Sequence, residues 1–286
     1  MTNALFDAPG PKARVRHGVY SVVAVLAVAA VLAFVGYRLD VTGQLDGNVW
    51  NWLQYPRIRQ DLLAALGATL RAFAAGAVLA LLFGAVFAAG RLSDHAVVRG
   101  VATFVVELFR AIPLLILIFF FYYGLPAAHV EMSPFTAVVA GLTLYNGSVL
   151  AEVFRAGILA LPRGQGEAAY ALGMRKTQTT RFVLLPQALR SMLPTIISQL
   201  VVLLKDTALG FLITYNELLY YARYLGAQPV LHRPLIPVTI VVAAMYIALN
   251  LLLSLLATYL ERRNRRSSKH IGPPAVGLIT VPSELG

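Results

Sequence analysis

Residues Leu235–Leu260 read LIPVTIVVAAMYIALNLLLSLLATYL, a run without Asp, Glu, Lys or Arg that then meets Arg262, Arg263, Arg265 and Arg266. A membrane-crossing helix needs roughly 20 mostly apolar residues at 1.5 Å rise each. Working outward from this run, five further stretches satisfy the same length argument. They are Val19–Tyr37, behind Lys12, Arg14 and Arg16; Ala72–Gly90, with Leu62–Leu70 as a helical lead-in; Val101–Gly124; Pro134–Leu161; and Leu189–Ile213. The third contains Arg110 and Pro113 and is expected to kink or break there. Pro194 and the trio Lys205-Asp206-Thr207 interrupt the fifth. No alternating strand pattern recurs, and an open sheet edge is not tolerated in lipid. The fold class is therefore an all-α polytopic membrane protein with about six transmembrane helices.

Composition agrees. The 286 residues are 58% hydrophobic and 13% charged, against about 25% charged residues in soluble domains. A mean hydropathy of +0.71 excludes a disordered chain and argues against a soluble enzyme. Val19–Tyr37 exceeds the roughly 7–15 apolar residues of a signal peptide, so it is read as a retained anchor. A net charge of +11 would suggest nucleic acid in a soluble protein, but here loop placement explains it. Lys and Arg concentrate in the amino terminus, Arg91–Arg99, Pro162–Gln187 and the carboxyl tail, whereas Arg38–Asp61, Leu125–Ser133 and Asn216–Arg233 are poorer in them. The positive-inside rule then predicts a multi-pass membrane protein with both termini in the cytoplasm. Cysteine is absent and the five histidines are scattered, so no metal centre or thiol chemistry is expected.

Within Ala72–Gly90, Gly76, Ala80, Gly84 and Ala88 recur every four residues, a stripe that lets another helix approach closely. The segment LPRGQGEAAYALGMRKTQTTRFVLLPQALRSMLP, Leu161–Pro194, is the one long loop on the basic side. Pro162, Gly164 and Gly166 break the preceding helix. Glu167–Leu172 restarts one, and Gly173 suits its C-cap. Thr177–Val183 resumes a helix that Pro186 bends. The run from Gly164 to Ala169 superficially fits a dinucleotide fingerprint, but that motif must follow a strand in a βαβ unit. No G-x-x-x-x-G-K-[ST] stretch occurs, so this chain does not cradle ATP.

Glu167-Ala168-Ala169, then Gly173, Val183, Leu185 and Pro186, resemble the EAA loop of binding-protein-dependent ABC transporter permeases, with Val183 where isoleucine is usual. The likeness implies a MetI-like permease core, with Glu167, Ala168, Ala169, Gly173, Leu185 and Pro186 coupling to a separate ATPase. Glu107-Leu-Phe-Arg110-Ala-Ile-Pro113, Tyr145-Asn-Gly-Ser148 with Ala151-Glu152 and Arg155-Ala-Gly157, and Lys205-Asp206-Thr207-Ala208-Leu209 are similar to the polar amino acid branch. The opening Leu5–Pro11 and the YNGS stretch look most like its actinobacterial glutamate permease subunits.

That resemblance implies a set of partners: an ATP-binding subunit dimer holding ATP and magnesium, a second permease subunit, and an extracytoplasmic amino-acid-binding protein. The substrate would be a polar amino acid, glutamate first, and the remaining partner is membrane lipid, with no nucleic acid. No cofactor is expected in this chain, and it is not expected to be an enzyme. The domain expectation is a basic terminus over 1–18, a first helix and outer loop over 19–61, and a permease domain over 62–260. The coupling loop lies at 161–187 within it and a cytoplasmic tail follows at 261–286.

Charges at membrane depth each need a partner, because one near the bilayer centre costs at least about 2.5–3.5 kcal/mol. Glu107 and Arg110, and Glu152 and Arg155, are three apart and can pair on one helical face. Lys205 and Asp206 are adjacent and diverge by about 100° on a helix, so each must look elsewhere. Arg110, Asn146, Lys205, Asp206 and Thr207 form the candidate substrate path, supplying the charged and neutral hydrogen-bonding groups an amino acid requires. The competing view has Lys205 and Asp206 only binding helices together. Asn146 and Asn250 are expected to bond between helices. Tyr215, Tyr220, Tyr221 and Tyr224, with Trp50 and Trp52, are expected to anchor at the outer interface. An ion-gradient-driven transporter, the alternative function, would need inverted repeats, and none is found. A membrane hydrolase would need a cluster of His, Asp, Glu or Ser.

Overall fold

The computed structural model describes residues 10–266, which are helical almost throughout and contain no strand. The helices are α1 (Pro11–Val41), α2 (Pro56–Arg91), α3 (Ala96–Ala111), α4 (Leu114–Phe119), α5 (Pro134–Leu159), α6 (Arg163–Ala171), α7 (Lys176–Gln178), α8 (Leu185–Asp206), α9 (Leu218–Gly226) and α10 (Leu235–Arg266). Among the described residues, five helical stretches are long and apolar enough to cross a membrane: Lys12–Val41, Pro56–Arg91, Pro134–Leu159, Lys176–Ile213 and Leu235–Tyr259. The expectations for Leu5–Pro11 and for the end of the tail fall largely or wholly outside the described residues.

Two boundaries differ from the sequence reading for identifiable reasons. The lead-in Leu62–Leu70 and the span after it are one helix, α2, because nothing in Pro56–Arg91 breaks the ladder. The expected third span, Val101–Gly124, is not a single helix. Pro113 disfavours the helical conformation in the residue before it; Ile112 is extended at ψ 124°, and the chain turns by 96° between α3 and the segment Leu114–Ala128. It counts as a sixth crossing only as a bent pair.

The described chain forms two compact units, one of residues 10–70 and 210–245, the other of 71–209 and 246–266. In the second, α5 is the core: Ala137, Val138, Leu142, Leu150 and Ala151 are fully buried. The small-residue stripe of α2 lies against it. Gly76 faces Leu142, and Gly84 faces Leu150 and the Gly147 backbone; Ala80 and Ala88 are buried. Ser133 caps α5, its Oγ accepting from the Thr136 amide at 3.1 Å.

In the first unit, α9 is stitched to the early turns of α2. Tyr215 donates its hydroxyl to the Ala68 carbonyl at 2.7 Å, and Thr69 Oγ1 accepts from the Leu218 amide at 3.2 Å. Burial pushes the Tyr221 hydroxyl up to about 12, so it stays protonated and donates to the Ile58 carbonyl. Tyr215, Tyr221 and Trp52 are thus interior residues, 7%, 6% and 1% exposed, not the interfacial anchors their composition suggested. Of the expected anchors, Trp50 and Tyr224 are exposed and Tyr220 is half-buried. The rings of Tyr215 and Tyr221 can fill the interior because the hydroxyl of each finds a carbonyl; the Trp52 indole N–H has no such partner. The fully buried Glu217 caps α9, accepting from the Leu219 and Tyr220 amides at 2.8 and 2.7 Å.

Candidate functional site

The loop after α5 folds as its glycine and proline placement dictates. α6 covers Arg163–Ala171 and closes at Gly173, whose φ of +77° only glycine adopts without strain. The Gly173 amide donates to the Tyr170 carbonyl at 2.9 Å and the Met174 amide to the Ala169 carbonyl at 3.1 Å. This is the paired Schellman arrangement, which satisfies two of the last carbonyls of the helix. Ala169 is buried, while Glu167, Ala168 and Ala171 are exposed, with Tyr170 and Leu172 exposed at 50% and 84%. The resumed helix is α7 followed by a π-helical turn, Thr179–Leu184. Leu185 and Pro186 open α8, where the missing proline N–H costs nothing. Leu185 is half-buried and Pro186 exposed.

A polar cluster joins α5 to α8. Asn146, fully buried, donates through Nδ2 to Asp206 Oδ2 at 3.3 Å and accepts at Oδ1 from Gln199 Nε2 at 2.7 Å. The structure thus brings Asn146 and Asp206 together and adds Gln199, which the sequence reading missed. Its signal was available: Gln199 lies seven residues before Asp206, two turns along one helical face. Lys205 is exposed. The buried Thr207 donates to the Leu204 carbonyl at 2.7 Å, within its own chain segment. Asn250 does not reach another helix with its amide: Nδ2 donates to the Tyr246 carbonyl one turn back at 2.7 Å.

Arg110 belongs to a different group. Glu107 and Arg110 pair at 3.3 Å and Glu152 and Arg155 at 2.6 Å, as their spacing predicts, but Arg91 links the two pairs. Its guanidinium lies 3.2 Å from Glu107 and 3.0 Å from Glu152, with the side chain 10% exposed. Arg91 was missed because at the end of a span it reads as an ordinary topological charge. Arg110 and Glu152 line a cavity of about 510 Å³ that includes Val149, Gly157, Ser191 and Thr195. Val149 lies one turn from Asn146 and Thr195 one turn from Gln199, so the same two helices carry both cavity and polar cluster. Nearby, Lys176 hydrogen-bonds Asp94 and also the Leu92 carbonyl at 3.0 Å. The hydrogen bond from Lys176 holds the Asp94 carboxyl below the usual carboxylate range. No cluster of metal-ligating side chains occurs among the described residues.

The described residues thus combine mostly apolar helices with one capped loop helix, an amide–carboxylate cluster around the buried Asn146 and a cavity between α5 and α8. The family described as "Binding-protein-dependent transport system inner membrane component" matches residues 80–266. The chain belongs to that family, as a permease subunit of a binding-protein-dependent transport system.

Among its relatives is the glutamate transport system permease protein GluD of Corynebacterium glutamicum, 42% identical over 246 residues, 82% of this chain and 86% of that one. The crystal structure of an amino acid ABC transporter with histidines matches with a TM-score of 0.68 at 29% identity, covering 74% of this chain and 98% of that one. The inward-facing MetNI methionine ABC transporter matches with a TM-score of 0.59 at 22% identity, covering 73% of this chain and 98% of that one. At that identity it speaks to the fold, which is the expected MetI-like permease architecture.

Proposed function

We propose that this chain forms half of a translocation path for a polar amino acid, glutamate first, and that α6 is the element a separate ATP-binding subunit pushes. The observation that carries this reading is the construction of α6. It is a short helix, closed by a Schellman cap, that leaves Tyr170 and Leu172 exposed with Glu167 and Ala168 beside them. An exposed apolar tip on a rigid mount is what a partner groove would grip. Lys176 bonds to Leu92 and Asp94, a contact that supports reading the two Arg/Lys-bearing loops as lying on the same side of the bilayer. The positive-inside rule assigns that side, and both termini, to the cytoplasm.

An extracytoplasmic receptor would deliver the amino acid, and a second permease subunit would complete the path. ATP binding would draw the α6 elements together, and hydrolysis would reset the bundle, with rigid helices moving about a central site. Asn146, Gln199 and Asp206 would meet the substrate as it passes, with Arg110 at the cavity offering a cation to a carboxylate. Glutamate is favoured by the likeness to the corynebacterial glutamate permease.

The test is reconstitution in lipid with the ATPase subunits and receptor. Loaded receptor should stimulate ATP hydrolysis and drive glutamate uptake. Gly173→Val, which forces a β-branched residue to φ +77°, should keep hydrolysis while abolishing uptake. Normal uptake by that variant would remove α6 from the coupling role.

A further inference from the structure

Three arginines and two glutamates occupy the ends of α2, α3 and α5, and their contacts form one continuous chain rather than separate pairs. Lys176, three residues beyond the Gly173 cap, holds the Leu92 carbonyl at 3.0 Å and the Asp94 carboxylate. Leu92 follows Arg91 directly, so the residue Lys176 grips is bonded to the one whose guanidinium reaches Glu107 on α3 and Glu152 on α5. Glu152 also holds Arg155 at 2.6 Å, and Glu107 holds Arg110 at 3.3 Å. Arg110 and Glu152 are themselves walls of the cavity between α5 and α8.

We infer that Arg91 is a positioning residue for coupled transport, relaying displacement of the α6 loop, through Lys176 and the Leu92–Asp94 turn, to the Arg110–Glu152 wall of the cavity. The inference rests on the reading of α6 as the driven element. Two features favour a relay over simple adhesion. The rigid guanidinium plane sets its two terminal nitrogens 3.2 and 3.0 Å from carboxylates on two helices, as ion pairs rather than aligned hydrogen bonds, Nη1 having no hydrogen-bond partner; a single lysine ammonium on a flexible stem does not hold two such contacts in register. The Lys176–Asp94 pair is largely exposed, at 47% and 79%. Exposed ion pairs add little to stability, so its contribution lies in what it joins. A contiguous network becomes a coupling path only when both ends bias the same rearrangement, and that is what the experiment must read.

The experiment measures amino acid taken up per ATP hydrolysed in proteoliposomes carrying the full complex with loaded receptor. Arg91→Lys keeps the charge and loses the fork; it should retain receptor-stimulated hydrolysis while the uptake-to-hydrolysis ratio falls by about fivefold or more. Lys176→Asp and Asp94→Lys should each lower that ratio, and the double exchange should restore part of it, since it returns the ion pair but not the bond to the Leu92 carbonyl. Both side chains are exposed, so these variants test the relay even where Arg91→Lys inserts poorly. An unchanged ratio in all variants, or uptake and hydrolysis falling in parallel without restoration in the exchange, overturns the relay. Gly173→Val in parallel separates the two readings. If it uncouples while the relay variants behave as the parent, only the relay fails; if it transports normally, the reading of α6 fails beneath it.

Discussion

Gly84 and Gly67 both lie within α2, yet alanine should be less favourable at Gly84 than at Gly67. A Cβ at Gly84 would stand 2.9 Å from Leu150 Cβ, 3.1 Å from the Gly147 carbonyl oxygen and 3.2 Å from the Ala151 nitrogen. Two of those neighbours are backbone and the third is the root of a side chain, so none yields by a rotamer change. Overpacking of this kind costs about 1–3 kcal/mol. At Gly67 an added Cβ meets nothing within 4 Å. Alanine there should gain about 0.8–1.0 kcal/mol of helix propensity over glycine. That gain is common to both positions and cancels in their difference, leaving the steric cost at Gly84 of about 1–3 kcal/mol. For chains of this size it separates the thermal midpoints by roughly 2–12 °C, at about 2–4 °C per kcal/mol. Thermal unfolding of the purified protein, followed by helical circular dichroism, reads the difference directly. Equal midpoints, or Gly84→Ala the more stable, would refute close approach of α2 and α5 at this crossing.

Two further substitutions probe polar groups. Asn146→Leu leaves the Gln199 amide and the Asp206 carboxylate, both part-buried, without the partner each has at 2.7 and 3.3 Å; a fully buried unpaired group costs about 1–3 kcal/mol and these somewhat less, so the thermal midpoint and uptake should both fall. Asn146→Gln, which retains the amide, should recover part of the stability. If Asn146→Leu lowers stability alone while uptake by the folded fraction is normal, the cluster only holds helices together. Glu217→Ala removes the carboxylate that accepts from two α9 amides. Loss of an N-cap costs about 0.5–2 kcal/mol, and hydrogen exchange should quicken first at Leu219 and Tyr220. Unchanged exchange there would contradict the capping role.

The helical architecture was legible because the bilayer imposes one strong rule. Long uncharged runs such as Leu235–Leu260 must be helices, and α10 duly covers them. The stripe Gly76–Ala80–Gly84–Ala88 was legible for a similar reason, since small residues at a four-residue repeat have no better use than close packing. The Gly173 cap was readable because one residue type dominates that conformation. Two pairs, Glu107–Arg110 and Glu152–Arg155, follow from helical spacing alone.

What sequence could not supply were contacts between distant segments. Arg91 and Glu152 are far apart in the chain, and nothing local in Arg91 distinguishes a buried bridging guanidinium from a topological charge. Tyr215 and Tyr221 were misread because an aromatic ring with a polar tip suits either a membrane interface or an interior where a carbonyl waits; only the position of α2 decides between them. The 96° turn at Ile112–Pro113 was half legible: proline announces a break, but not its angle.

The central claim is that α6 is gripped by an ATP-hydrolysing neighbour, and one measurement addresses it most directly. The chain has no cysteine, so Ala168→Cys, on the exposed side of α6, places a single thiol at the proposed contact. Short-arm crosslinking in membranes carrying the assembled transporter should join that thiol to the ATP-binding subunit, with a yield that changes when ATP is trapped. A thiol that reacts only with reagents added from the outer side, or that never joins the ATP-binding subunit while the complex is active, would contradict the account.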